Sequence, residues 1–274
     1  MTRSVILLPL DGSQPALNAL PVAKVFSALE DAPLRILHVS ERAPPLPELA
    51  RQLGVEPAEL RGASIDSRAG EPAAVILDAA QKLRARVIVL CTHTAAARPA
   101  DVLGRTALAV LRGGVCPVVL VNPELPLSGW TLRRVLLPHE GSPATSDAVR
   151  PGAELARLAG AELIVLQVAA PGAALPQERG SLVPPFYLDQ PQHEWPAWGA
   201  ELIQRLGCVC PLSGITVRLL LGHGNPATEI LRVAREQSAD LIVLAWKGRW
   251  APERAETIKA VVREAPCPAM VVRI

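Results

Sequence analysis

The sequence predicts an α/β protein of two tandem domains, each a parallel sheet covered by helices. Three observations carry this: ordered blocks that occur twice, short apolar runs alternating with longer amphipathic stretches, and a length suited to two cores. "VILLPLDGS" before Gln14 returns as "RVLLPHEGS" before Pro143, so Asp11 corresponds to Glu140 at an offset of 129. "LRILHV", ending at Val39, and "LIVLQV", ending at Val168, keep that offset. "GEPAAVILDAAQKLRARVIVL" matches "GNPATEILRVAREQSADLIVL", with Gly70 and Gly224 separated by 154. "AVLRGGVCPVVLV" matches "AVVREAPCPAMVV", with Cys116 and Cys267 separated by 151. Four blocks in one order, with only two changes of spacing, imply duplication. The 274 residues then divide into domains 1–124 and 131–274, joined by "NPELPLSG" from Asn122, whose prolines and glycine mark a short linker.

In copy 1 the apolar runs place strands near residues 4–10, 34–39, 64–68, 86–91 and 117–121. In copy 2 they place strands near 133–138, 162–168, 215–221, 240–245 and 268–273. The runs are mostly continuous in Val, Ile and Leu, as parallel strands covered on both faces require. Helices are predicted near 14–31, 46–53, 72–84 and 103–112, then near 143–159, 195–206, 226–238 and 253–264. Pro21 and Pro151 fall inside the first helix of each copy, which predicts a late start or a kink because proline lacks the N–H that bonds one turn back. The 25 residues that copy 2 carries beyond copy 1 lie between Val168 and Gly224. They are expected mainly as an irregular proline-rich insertion over Pro171 to Pro196, which holds Phe186, Tyr187 and Trp195, with Trp198 on its flank. Such an insertion serves either as a partner-contacting flap or as a cover for its own sheet.

Composition excludes several classes. Lys and Arg number 28 against 26 Asp and Glu, split 13 to 12 before Leu127 and 15 to 14 from it onward. Neither half has the cationic excess of a nucleic-acid module. Apolar runs such as Val5 to Leu10 are far too short to span a bilayer, and "MTRSVILLPLDGS" reads as a first strand rather than a signal peptide. A soluble cytoplasmic protein is the expectation. Five cysteines at scattered positions give no disulfide framework. Cys116 and Cys267 open matching strands and read as small hydrophobes, and Cys208 and Cys210 form a lone C-x-C without a partner pair for metal.

The blocks "PLDGS", "GEP", "CTHT" and "GVCPVV" in copy 1, and "PHEGS", "GNP", "LAWKG" and "APCPAMVV" in copy 2, resemble in order and in duplicate the universal stress protein family, in tandem form and over nearly the whole chain. The resemblance implies two Rossmann-like domains of the adenine nucleotide alpha hydrolase-like kind, each a five-stranded parallel sheet of order 3-2-1-4-5 flanked by helices. It also implies that the two copies pair through their last strands. A further homodimer and an unknown protein partner stay open, and neither nucleic acid nor membrane is expected as a partner.

Many members of that family bind ATP at the carboxyl ends of the strands through a G-2x-G-9x-G-[ST] loop. The chemistry suits glycine, which lets backbone N–H groups approach phosphate, and a helix N-terminus, which favours negative charge. Copy 1 carries Cys91, Thr94, Gly104 and Arg105 at the loop positions, so one glycine of three remains. Copy 2 carries Ala245, Gly248, Ala255 and Glu256, and its spacer has shrunk to 6 residues. Micromolar binding amounts to about 8 kcal/mol. A carboxylate about 4 Å from one phosphate charge opposes it by about 4 kcal/mol at an effective dielectric near 20. Copy 2 is therefore expected not to hold ATP by the family's geometry.

In copy 1 the resemblance names Asp11, Val39, Thr92, His93, Thr94, Gly104 and Arg105 as binding residues. Each has a structural alternative, and an acid such as Asp11 equally well caps the next loop or helix. No cofactor is expected, while ATP or AMP in copy 1 stays open. His139 beside Glu140 suggests a proton-transfer pair, yet no nucleophile stands at a recognisable spacing. No catalytic or metal-binding residue is assigned. The function expected is a non-enzymatic stress-response interaction or regulatory protein with degenerate nucleotide loops. The alternatives are an ATP-binding switch with one weak or altered site in copy 1, with slow hydrolysis left open, and a redox-responsive assembly protein using Cys91, Cys208 and Cys210.

Overall fold

The computed structural model describes residues 4–40, 48, 51, 62–92, 102–169, 181–182, 191–248 and 255–274. In chain order the first half holds β1 (Ile6–Leu10), α1 (Gln14–Leu17), α2 (Leu20–Leu29), β2 (Leu34–Ser40), β3 (Ala63–Ala69), α3 (Pro72–Lys82), β4 (Val87–Cys91), α4 (Arg105–Gly113) and β5 (Val118–Val121). The second half holds β6 (Arg134–Pro138), α5 (Pro143–Ser146), α6 (Val149–Ala159), β7 (Glu162–Ala169), α7 (Pro191–Val209), β8 (Val217–His223), α8 (Pro226–Glu236), β9 (Leu241–Trp246), α9 (Glu256–Glu264) and β10 (Ala269–Arg273). The expected helix near 46–53 lies mostly outside the described residues, of which Glu48 and Arg51 are helical and exposed.

The chain forms two compact units: Met1–Thr131 with Cys267–Arg273, and Leu132–Pro266 with Ile274. In the first, parallel strands follow the order β3-β2-β1-β4-β5, in the register Ile6 to Leu34, Leu34 to Ala63 and Ile88 to Val118. There β10 lies antiparallel to β5, with Met270 opposite Val119. In the second unit β8-β7-β6-β9 are parallel, with Val135 opposite Leu163 and Leu241. The last residue, Ile274, donates its N–H to the Trp246 carbonyl at 2.9 Å. Both units are thus α/β with a mostly parallel sheet. Consecutive residues such as Ile6 and Leu7, or Leu136 and Leu137, are fully or almost fully buried, so these strands are covered on both faces.

The single helices expected from residues 14 and 143 are each two helices, and the reason is the proline. Pro21 cannot donate to the Leu17 carbonyl, nor Pro151 to that of Asp147, so α1 and α5 stop after four residues and α2 and α6 restart. Ser13 and Ser142 cap the short helices, each accepting a backbone N–H at 3.3 Å. The "GEP" and "GNP" motifs are helix starts. Glu71 accepts from Ala73 and Ala74, and Asn225 accepts from Thr228, with Pro72 and Pro226 following at the first helical position. Asn18 anchors the linker by donating to the carbonyls of Pro123 and Leu125.

The insertion of copy 2 also departs from expectation. Helix α7 begins at Pro191 and runs through Pro196, which sits inside it, so the end of the proline-rich stretch is helical. Trp198, Leu202, Leu206 and Cys210 are all buried at intervals of four residues, and that apolar stripe outweighs the hydrogen bond lost at Pro196. Residues 170–180 and 183–190 lie outside the description.

Phe26 of α2 has no exposed surface, and its ring lies parallel to Trp130 at 6.3 Å between centroids. Phe26→Ala is expected to destabilise the first unit by about 3–5 kcal/mol, measured as a shift in guanidinium unfolding. A loss below about 1 kcal/mol would show that this pair does not anchor the helix.

Candidate functional site

At the carboxyl ends of the first unit's strands, Asp11 is exposed and its Oδ1 accepts from the Ser13 backbone N–H at 3.0 Å and from Ser13 Oγ at 2.7 Å. Ser13 in turn caps α1, so Asp11 braces the loop that opens the helix. Gly12 between them has φ +87, a conformation that favours glycine. Thr92 is buried; its N–H reaches the Val121 carbonyl and its carbonyl accepts from the N–H of Gly104, the residue before α4. Arg105, the first residue of α4, is exposed, and no acidic residue occupies that helix's first turn. Val39 is half-buried and pairs with Arg68 on β3. Asp11, Thr92, Gly104 and Arg105 thus all lie at strand ends or the helix start that such a site needs, while His93 and Thr94 fall outside the described residues. Burial pushes the Cys91 thiol up to about 12, and the thiol donates to the Pro15 carbonyl at 3.0 Å, so Cys91 is not a reactive thiolate.

The second unit holds a cavity of about 640 Å³ at the carboxyl ends of β6, β7 and β9. His139, Glu140 and Thr145 line it from the turn after β6, Trp246 and Lys247 from the end of β9, and Thr257 from α9. The Lys247 ammonium donates to Glu140 Oε1 at 2.9 Å, and Ser142 Oγ donates to the same oxygen at 2.8 Å. Burial opposes ionisation of Glu140, but these hydrogen bonds and the Lys247 charge outweigh it and hold the carboxyl below its ordinary value.

The hydrogen bonds of His139 settle its chemistry. Its Nδ1 accepts the Gly141 backbone N–H at 2.9 Å, so in the neutral ring the hydrogen sits on Nε2. That nitrogen lies 3.3 Å from both Ser146 Oγ and Thr145 Oγ1. A base that activates a hydroxyl must offer it a lone pair, and His139 offers a hydrogen instead. Burial lowers its pKa to about 4 despite the nearby Glu140 charge. Among the described residues no group of three His, Cys, Asp or Glu side chains is placed to hold a metal ion.

The inserted segment meets this turn directly. Leu182 donates its N–H to the Gly141 carbonyl at 2.8 Å, and its own carbonyl accepts from Gln167 Nε2 at 3.2 Å. Gly141 has φ +83, and a Cβ there would lie 2.1 Å from the Leu182 oxygen. Sequence reasoning missed Lys247, Trp246 and Thr145 as cavity residues. A signal existed for Lys247: the repeat frame sets it opposite His93, at a strand end neighbouring the one that carries Glu140.

A parallel sheet with its polar groups gathered at the carboxyl ends defines the doubly wound α/β class, in which ligands settle at those ends. The sequence model of the Universal stress protein family matches residues 2–122 and again 131–273, and the chain belongs to that family as a tandem member. A universal stress protein of Methanocaldococcus jannaschii is 24% identical over 147 residues, covering 52% of this chain and 82% of that protein. A universal stress protein from Archaeoglobus fulgidus superposes with a TM-score of 0.66 at 20% identity, over 98% of this chain and 96% of its own. A putative universal stress protein from Pseudomonas aeruginosa gives 0.67 at 17% identity, over 99% and 93%. These two structures share the fold. Among the described residues, no helix is long and apolar enough to cross a membrane.

Two outcomes follow. Because the folded state keeps His139 neutral down to about pH 4, it binds fewer protons than the unfolded state below the ordinary histidine value near 6.5. Stability contributed by this residue is complete above about 6.5 and falls by up to about 3 kcal/mol as pH drops to about 4. His139→Gln should flatten that part of the profile in guanidinium titrations at pH 7 and 4.5, and parallel profiles for the two chains would refute it. Gly141→Ala and Gly160→Ala both force a side chain into left-handed backbone at about 1–2 kcal/mol, but only the first also strikes Leu182, since Gly160 has open space. Gly141→Ala is expected to lower the melting temperature clearly further, whereas equal losses would mean that Leu182 does not pack on the turn.

Proposed function

We propose that this chain is a cytoplasmic, non-enzymatic stress-response protein that works by interaction or regulation, with phosphate-binding loops degenerate in both copies. The observation that carries the reading is Glu256, the first residue of α9, whose acidic side chain stands in the first turn at the helix end where a phosphate would have to approach. The hydrogen on His139 Nε2 supports the absence of hydrolysis in copy 2, because it leaves that residue without the lone pair a base requires. Pairing of the copies through their last strands belongs to the same proposal and is supported by the antiparallel register of β10 on β5. The interaction partner is then a protein, and no cofactor is required.

A second reading is favoured by one contrast. Helix α4 opens with Gly104 and the exposed Arg105, with no acid in its first turn, so copy 1 keeps the electrostatic sign an anion needs. On this reading ATP or AMP binds weakly in copy 1, with Asp11, Thr92, Gly104 and Arg105 in contact.

Calorimetry of the full chain with ATP, ADP and AMP separates the readings. The expected outcome is no site of micromolar affinity or tighter, a threshold of about 8 kcal/mol. Tight binding at both copies would overturn the proposal. A single weaker site abolished by Asp11→Ala and by Arg105→Ala would establish the second reading instead.

A further inference from the structure

The cavity of the second unit has a size and a lining that describe a different kind of ligand. At about 640 Å³ it falls within the range of pockets that enclose small molecules. Its walls are chiefly apolar: Leu166 and Val168 from β7, Ile230 from α8, Leu244 and Trp246 from β9, and Ile258 from α9. The polar groups are few, and those of Thr145 and His139 are already committed to hydrogen bonds. Thr145 Oγ1 donates to the Ser142 carbonyl at 2.9 Å, and the Gly141 N–H occupies His139 Nδ1. The two charges that line the cavity, Glu140 and Lys247, neutralise one another at 2.9 Å. Next to Thr257 on α9 stands Glu256, an additional negative charge.

Each of these features acts on ligand choice. An anion entering would have to take Lys247 from Glu140 and leave that carboxylate facing it, while Glu256 repels from α9. A free cation gains little, since Lys247 already balances Glu140. An uncharged molecule meets no such opposition and gains from removing its apolar surface from water. The Glu140–Lys247 pair, half exposed, presents both an acceptor and a donor to one polar end of such a molecule.

The geometry points to this cavity as a binding site for an uncharged, mainly apolar small molecule, lined by residues of β7, β9, α8 and α9, with any polar end at Glu140 and Lys247. The inference rests on the reading of copy 2 as closed to polyphosphates, and the experiment keeps the two apart.

The test uses the full chain and the neutral fluorescent probe N-phenyl-1-naphthylamine. The expected result is saturable binding of one probe per chain, weakened at least tenfold by Ala245→Phe and by Thr257→Phe, which fill the cavity from β9 and from α9. Melting curves of both variants, compared with the parent, confirm that each is folded. Independently of those variants, probe seated in the cavity quenches Trp246 emission, and Trp246→Phe removes most of this energy transfer. ATP at millimolar concentration leaves the probe in place. Absence of saturable binding, wild-type affinity in both folded variants, or unchanged energy transfer in Trp246→Phe overturns the inference. If that happens while calorimetry still detects no ATP, only this inference falls. Displacement of the probe by ATP would sink the reading of copy 2 as closed to polyphosphates as well.

Discussion

A parallel strand covered on both faces can show polar chemistry only where it ends. That constraint organises both units. Leu136, Leu137, Leu163, Ile164 and Val165 have no exposed surface, so a ligand can meet β6 and β7 only near their carboxyl ends, where Pro138, Leu166 and Val168 line the cavity. At the carboxyl ends, the charged and hydroxyl side chains of the site collect in the turns beyond the strands, as Glu140, Thr145 and Lys247 do. Even the buried polar residues near the ends obey it, since His38 binds the Leu10 carbonyl at 2.9 Å and Gln167, its counterpart 129 residues on, reaches the Leu182 carbonyl. An unpaired polar group at either place is costly, and a backbone carbonyl supplies a partner to His38 Nδ1 and to Gln167 Nε2.

Within that common frame the copies have diverged in charge at the strand ends, besides the insertion that copy 2 carries. Ser13 and Ser142 make the same cap, Gly12 and Gly141 the same left-handed turn, and Pro72 and Pro226 the same helix start. The helices that would face a phosphate differ in sign, with Arg105 opening one and Glu256 the other. Where copy 1 has Thr92, buried and bonded to Gly104, copy 2 has the far larger Trp246, which is also buried and adds apolar wall to the cavity. A scaffold kept by packing thus tolerates changes of charge and side-chain size at its strand ends.

The repeat frame makes most of the fold legible in the amino-acid sequence. Strand positions agreed closely because continuous Val, Ile and Leu runs have one good explanation when they recur in order. The breaks at Pro21 and Pro151 were legible as irregularities, but their form depended on which carbonyl each proline fails to satisfy. The helical start at Pro191 was hidden, since composition argued for a loop while the buried stripe from Trp198 to Cys210 argued for a helix, and packing decided. The site was less readable. Its parts come from the turn after β6, the end of β9 and α9, separated by more than 100 residues in places, and the Glu140–Lys247 pairing emerges only when adjacent strands bring two ends together. The tautomer of His139 could not be inferred at all, because it is set by the backbone N–H of Gly141.

The antiparallel seat of β10 on β5 has a consequence for synthesis on the ribosome. Val118 to Val121 emerge early, yet the strand that covers their open side ends at Arg273. At about 5–20 residues per second the nascent first unit waits roughly 10–30 s with an apolar edge uncovered. Throughout that interval the edge is a template for any other extended chain. Translation speed, and the chaperones that shield young polypeptides, therefore bear on the yield of this protein more than the contacts of its finished form would suggest.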